Sequence, residues 1–147
     1  MSTQVLLQSR GGAEHLQLFW QTAETVLERI PFPEDPVQTR FNILVSIQEA
    51  LSNILRHGYG RGQEPRVELR LSWDGQSFVI ELRDHAPRFD PTAVWSLPDT
   101  SDPMAIPEGG YGIGLMREVV DELEYRYENG QNILVLTKAV ARVESEV

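Results

Sequence analysis

The sequence has no cysteine, which excludes a disulfide framework, a thiol nucleophile and a thiolate metal site. Such a chain suits a reducing cytosol. No run reaches the roughly 18 consecutive apolar residues of a membrane span, and no basic segment leads into an apolar one at the N-terminus. Neither a span nor a signal peptide is therefore expected. Basic residues are the minority: 13 Lys and Arg against 22 Asp and Glu give a formal charge of −9. That balance opposes docking on nucleic acid or on an anionic membrane, both of which call for a basic patch. A polyanionic ligand has to be held by local donors or through a divalent cation. His15, His57 and His85 lack zinc-like spacing, and no Gly-Lys-Ser/Thr is present to make a P-loop. The expectation is a soluble, cytoplasmic protein.

What is there suffices for one domain over residues 1–147, since 147 residues with 41% hydrophobic content can bury a core without staples. Val5–Ser9 reads as a first strand, at an edge of the sheet. From Glu14 to Arg29 apolar residues follow helical spacing until Pro31 and Pro33 stop them. Asp35-Pro36 supplies an N-cap and a first-turn proline for a second helix, which runs to about His57. Arg66–Trp73 and Ser77–Arg83 alternate apolar and polar residues around Asp74-Gly75, a hairpin signal. Five prolines between Asp84 and Glu108 exclude regular structure there, and a loop of that length in a small domain is functional or mobile. A Gly-rich stretch, 109–114, leads into a third helix through Leu115, Val119 and Val120. Leu123–Tyr127 and Asn132–Lys138 form a second hairpin, and 139–147 is a polar tail. Paired antiparallel strands beside helices predict a two-layer α+β sandwich.

Chemistry concentrates in the second helix. At about 100° per residue, Glu49, Asn53 and His57 fall on one side with Ser46 and Arg56 beside them, while Leu44, Ile47, Leu51 and Ile54 form a stripe on the other. Taken alone, such a polar face simply meets water. Asp84, at a strand end, is most often a turn former; buried against a heterocycle it accepts a hydrogen bond from an exocyclic amino group. The glycines at 110, 112 and 114 lack dinucleotide-fingerprint spacing, yet a glycine cluster before a helix exposes amides that suit phosphate. A flexible hinge explains them equally well.

Together, Glu49-x-x-x-Asn53-x-x-x-His57-Gly-Tyr59, then Asp84-x-Ala86-x-x-Phe89-Asp90-Pro91, then Gly109-Gly-Tyr-Gly-Ile-Gly-Leu115 resemble the N, G1 and G2 boxes of the GHKL ATPases. The match is to the anti-sigma factor serine/threonine kinases, the RsbW-like group, and covers nearly the whole chain. The resemblance implies a histidine-kinase-like ATPase fold, a mixed, mostly antiparallel sheet with helices on one face. It implies ATP and Mg2+ as cofactors, with Asn53 as magnesium ligand, Glu49 as base for the attacking hydroxyl and Asp84 as the adenine-reading carboxylate. It also implies Gly110, Gly112 and Gly114 at the hinge of an ATP lid over 91–109, and Thr137 as support for adenine through water; His57 and Arg56, by their own charge, are candidates to neutralise phosphate, though such isolated residues more often serve as a cap or a surface charge. One departure is Ala86, where the G1 box usually has glycine: a methyl there is expected to crowd the adenine or restrict the turn. The implied activity is ATP-dependent phosphorylation of an anti-anti-sigma antagonist by an anti-sigma regulatory factor, with a sigma factor and a second copy of the chain as further partners. The alternative is a non-catalytic, ATP-dependent protein-binding module. A sensor histidine kinase fragment is disfavoured, because no helix with a phospho-accepting histidine precedes the domain in this sequence.

Overall fold

The computed structural model describes residues 2–11, 13–58, 64–92 and 111–140. In chain order these form β1 (Thr3–Arg10), α1 (Ala13–Leu27), α2 (Pro36–Asn53), a π-helical turn (Ile54–Gly58), β2 (Arg66–Trp73), β3 (Ser77–Asp84), α3 (Tyr111–Val119), β4 (Glu122–Glu128) and β5 (Gln131–Ala139). The strands make one sheet in the order β1-β2-β3-β5-β4. Every pairing among the described strands is antiparallel, in keeping with the mostly antiparallel sheet expected. β1 sits at an edge, as its short apolar run predicts.

Alternation along the strands decides which face is covered. Val67, Leu69 and Leu71 of β2 pair in register with the β3 residues Asp84, Leu82 and Ile80, and β5 adds Leu134 and Leu136. These apolar side chains are buried with Leu16, Phe19 and Ala23 of α1, Ile43, Ile47 and Leu51 of α2, and Met116 of α3. Each such side chain contributes about 1.5–3 kcal/mol when removed from water. The other face carries an ion-pair network in which Arg83 Nε lies 2.9 Å from Glu81 and Arg70 Nη1 lies 3.6 Å from the same carboxylate. The result is two layers, helices on one side and charge on the other. No described helix is long and apolar enough to cross a membrane.

Both hairpins turn where the sequence predicts. Asp74 Oδ1 accepts hydrogen bonds from the Gln76 and Ser77 amides at 2.9 and 3.0 Å, and Gly75 takes φ +90°. Asn129 and Gly130 form the two-residue β4–β5 turn, with φ of 52° and 75°, the left-handed pair that a type I′ turn requires.

The helix ends depart from expectation. Asp35 sits at the N-cap position of α2 but in a left-handed conformation, and its side chain makes no capping hydrogen bond. Its carbonyl still accepts the first bond of the helix, from Thr39 N at 2.8 Å. α1 ends at Leu27, two residues early, and continues as tighter turns in which Arg29 N bonds Val26 O and Ile30 N bonds Leu27 O. Arg40 of α2 then reaches across, donating from Nε to Leu27 O at 2.9 Å and from Nη2 to Ile30 O at 2.8 Å. A cation on the last carbonyls of a helix adds a charge-assisted donor to each and complements the dipole.

Ser46 is also a correction. It is fully buried, not on a wet polar face, and its hydroxyl donates back to Asn42 O at 2.8 Å. Leu44, expected in the core stripe, is only partly buried. The buried arc of α2 therefore runs through Ile43, Ser46, Ile47, Ala50 and Leu51, because the helix rests on the sheet with a further helix on each side.

Arg40→Ala removes both charge-assisted cross-helix hydrogen bonds and leaves Leu27 O and Ile30 O with only their backbone donors, Ile30 N and Phe32 N. We expect a loss of about 1–3 kcal/mol, seen as a lower urea midpoint at unchanged slope; an unaltered midpoint contradicts this role for Arg40.

Candidate functional site

Beyond Leu82 the packing between α2 and the sheet opens into a pocket whose empty space, open mouth included, is about 460 Å³. Its floor is strand: Leu82 and Asp84 of β3, Asn132 and Leu134 of β5, and Tyr125 of β4. Its roof is the end of α2, with Ala50, Asn53 and Ile54, and its rim is the segment after β3, with Ala86, Phe89 and Pro91. The walls are largely apolar, with a carboxylate and two amides set among them.

Asp84 and Asn132 are register partners across β3 and β5, so their side chains emerge side by side on the helix-covered face. Asp84 is 6% exposed. Its Oδ1 accepts from Asn132 Nδ2 at 3.0 Å and from Ala86 N at 2.9 Å, while Oδ2 has no hydrogen bond among the described residues. Burial pushes the carboxyl pKa above its usual range, against the downward pull of those two donors and of His85. A partly desolvated carboxylate with one oxygen held and the other open to an apolar slot is arranged to receive a neutral N–H donor.

Asn132 holds the rim in place. Nδ2 also lies within reach of the Ala86 and Pro87 carbonyls, at 3.1 and 3.2 Å, and Oδ1 accepts from Phe89 N and from the Tyr125 hydroxyl. Burial raises the Tyr125 pKa in turn. One amide thus ties β3, β4, β5 and the 86–89 segment together. The sequence contained a signal for it: Asn132, Leu134 and Leu136 alternate on one face, so a polar residue there points at the core.

Thr137 has the opposite parity. It pairs with Val79 and Glu122, lies on the sheet face away from the helices, and does not line the cavity. The residue that β5 brings to Asp84 is Asn132. Ala86 is buried and lines the cavity wall, but it does not strain the turn: Asp35 and Asn129 are the described non-glycine residues with positive φ.

At the other end of the cavity Asn53, 8% exposed, is brought together with Asp84. Glu49, one turn earlier, does not line the cavity. Its Oε1 is 3.1 Å from Arg56 Nη2, and the same nitrogen donates to Asn53 Oδ1 at 2.9 Å. The backbone of His57 lies in the π-helical turn; its side chain is outside the described atoms. Gly112 and Gly114 lie inside the first turn of α3, not in a loop before it, and Gly110 and the span 93–109 are outside the described residues.

No cluster of three or more His, Cys, Asp or Glu among the described residues could cage a metal. Magnesium does not need one: it prefers hard oxygen donors and commonly takes one or two from protein, with water and phosphate oxygens completing the shell. The Asn53 amide oxygen fits that demand.

A raised Asp84 pKa means that the folded chain binds this proton more tightly than the unfolded chain. Its contribution favours folding at low pH and is lost as pH rises through the raised value. Asp84→Asn removes the buried charge and keeps an acceptor oxygen for Ala86 and Asn132. The ligand-free variant should melt about 1–3 °C above the parent at pH 7, and the gap should close as pH falls through the raised value. A gap independent of pH contradicts this account.

The model of the histidine kinase-like ATPase domain matches residues 11–138 of this chain. Over 98 residues the chain is 31% identical to the serine/threonine-protein kinase BtrW of Bordetella bronchiseptica, covering 67% of this chain and 69% of BtrW. The serine-protein kinase RsbW of Bacillus cereus is 25% identical over 146 residues, covering 91% of this chain and 83% of RsbW. Among solved structures, the blue-light activated histidine kinase of Erythrobacter litoralis EL346 superposes with a TM-score of 0.57 at 17% identity, over 90% of this chain and 43% of that one. The Acinetobacter baumannii histidine kinase AdeS gives 0.50 at 14% identity, over 94% of this chain and 70% of that one. At such identities these two likenesses bear on the fold alone, and they agree with the layered antiparallel sheet. The chain belongs to the histidine kinase-like ATPase domain family, in its RsbW-like group.

Proposed function

We propose that this protein is a cytoplasmic, ATP- and magnesium-dependent serine/threonine kinase that serves as an anti-sigma regulatory factor and phosphorylates an anti-anti-sigma antagonist. The observation that carries the reading is the cavity: Asp84 and Asn53, far apart in sequence, line one apolar slot. The relatives named as serine or serine/threonine kinases support the phosphotransfer.

Each residue then has a task. Asp84 Oδ2 accepts a hydrogen bond from the exocyclic amino group of adenine, while Asn132 and Ala86 N hold Oδ1. Leu82, Ile54 and Phe89 bury the base and exclude water. Asn53 Oδ1 would hold magnesium, which would supply positive charge to offset that of the phosphates. Glu49 takes the proton from the antagonist's serine or threonine hydroxyl as its oxygen bonds to the γ-phosphorus and ADP leaves. Residues 91–109 serve as the lid, with Gly110, Gly112 and Gly114 at its hinge, and His57 is assigned to the phosphates by its charge. A sigma factor is the partner held between cycles, and the protein works as a homodimer.

A second reading has one observation in its favour. Glu49 stands outside the cavity and is ion-paired to Arg56, as suits a module in which nucleotide sets partner affinity without phosphotransfer. Transfer of labelled phosphate from ATP to a candidate antagonist separates the two.

A positioned general base typically contributes about 10²–10⁴-fold. Glu49→Gln keeps the shape and removes the base, so it should bind ATP as the parent does and transfer phosphate at least about 100-fold more slowly. Single-turnover transfer and nucleotide affinity measured on one preparation check this; transfer at the parent rate removes Glu49 from catalysis.

A further inference from the structure

A single guanidinium nitrogen holds both residues assigned to the reacting end of the site. Arg56 Nη2 is 3.1 Å from Glu49 Oε1 and 2.9 Å from Asn53 Oδ1. Helical geometry brings them together: Asn53 is one turn beyond Glu49, and Arg56 lies nearly two turns beyond it. Arg56 itself projects from the π-helical turn that replaces the last turn of α2, a feature that often marks functional positions. The three differ in freedom. Asn53 is buried, the Glu49 side chain is 19% exposed and the Arg56 side chain 40%. Arg56 can swing to solvent, and the two oxygens cannot follow it.

A divalent cation seeks the same kind of hard oxygen donor, here the Asn53 amide oxygen. A guanidinium and a divalent cation repel each other, so a cation bound to the Asn53 oxygen at about 2.0–2.1 Å disfavours a guanidinium held 2.9 Å from that same oxygen. We propose that Arg56 is a built-in counter-charge of the cation site, which clamps Glu49 to Asn53 and is exchanged for the divalent cation when nucleotide is loaded. This rests on the kinase reading, which places magnesium at Asn53. Departure of Arg56 also frees the Glu49 carboxylate, so the base is released only in the loaded site. Arg56 is thus a positioning residue: it acts on the reaction through Glu49 and Asn53.

The test is the magnesium dependence of ATP binding, followed with a fluorescent ATP analogue at a fixed trace concentration, for the parent, Arg56→Ala and Arg56→Lys. Arg56→Ala removes the competitor and should reach half-saturation at about 3- to 10-fold lower magnesium, the scale of one part-exposed ion pair with one charge-assisted hydrogen bond. Arg56→Lys, with a point charge in place of the planar fork, should fall between. A purely structural ion pair would move the melting temperature and leave the magnesium midpoint alone. An unchanged or higher midpoint in Arg56→Ala, with ATP still bound, overturns the exchange and leaves the kinase reading standing. Failure of the parent to bind ATP at any magnesium concentration overturns both.

Discussion

A carboxylate stays in an apolar wall at the end of β3 because an amide stands opposite it on β5. The bond from Asn132 Nδ2 to Asp84 Oδ1 is where sheet register, rim conformation and site chemistry meet. Register makes the two residues neighbours; a slip of β5 by one position would turn Asn132 to the charged face and take it from Asp84. The same amide takes the backbone of residues 86–89 as its remaining partners, so the segment that walls the cavity is fixed by the group that orients the carboxylate. Burial raises the proton affinity of Asp84, and the hydrogen bonds limit that rise without cancelling it. This stability cost is of the kind expected at a site that must receive a polar ligand edge without water.

α2 serves the other end of the cavity by a different principle. Its buried arc anchors it to the sheet and to the neighbouring helices, which leaves its C-terminal turn to carry Asn53, Arg56 and Glu49. Arg40, at the start of the same helix, fastens the end of α1. One helix therefore joins the packing of the helical layer to the placement of the oxygen donors. The wide turn that follows Asn53 sets Arg56 where it meets two acceptors at once.

Much of this was legible in the residues. Alternation and turn chemistry located both hairpins, since Asp74-Gly75 and Asn129-Gly130 have few other uses. The four-residue spacing of Glu49 and Asn53 placed both on neighbouring parts of one helix. What escaped depended on neighbours. Ser46 reads as polar until its hydroxyl is seen to bond its own helix, which makes it acceptable in a core. Asp35 has the composition of a cap and the wrong backbone conformation for one. Thr137 and Asn132 both lie on the last strand, and only strand parity, counted from the turn, shows which of them faces Asp84. Gly112 and Gly114 fit a loop on composition, but the first turn of a helix accommodates them too.

The central claim is that the Asp84 cavity reads adenine while a cation site at Asn53 serves the phosphates. Calorimetric titration of the ligand-free protein with ATP and with GTP, each with and without magnesium, tests it most directly. GTP presents a carbonyl where ATP presents an amino group, and a site with a buried acceptor left unmatched typically loses 10-fold or more in affinity, about 1–3 kcal/mol. The account predicts ATP binding that is strengthened by magnesium and at least about 10-fold tighter than GTP binding. Equal affinity for the two nucleotides, or no heat of binding with either, would contradict it.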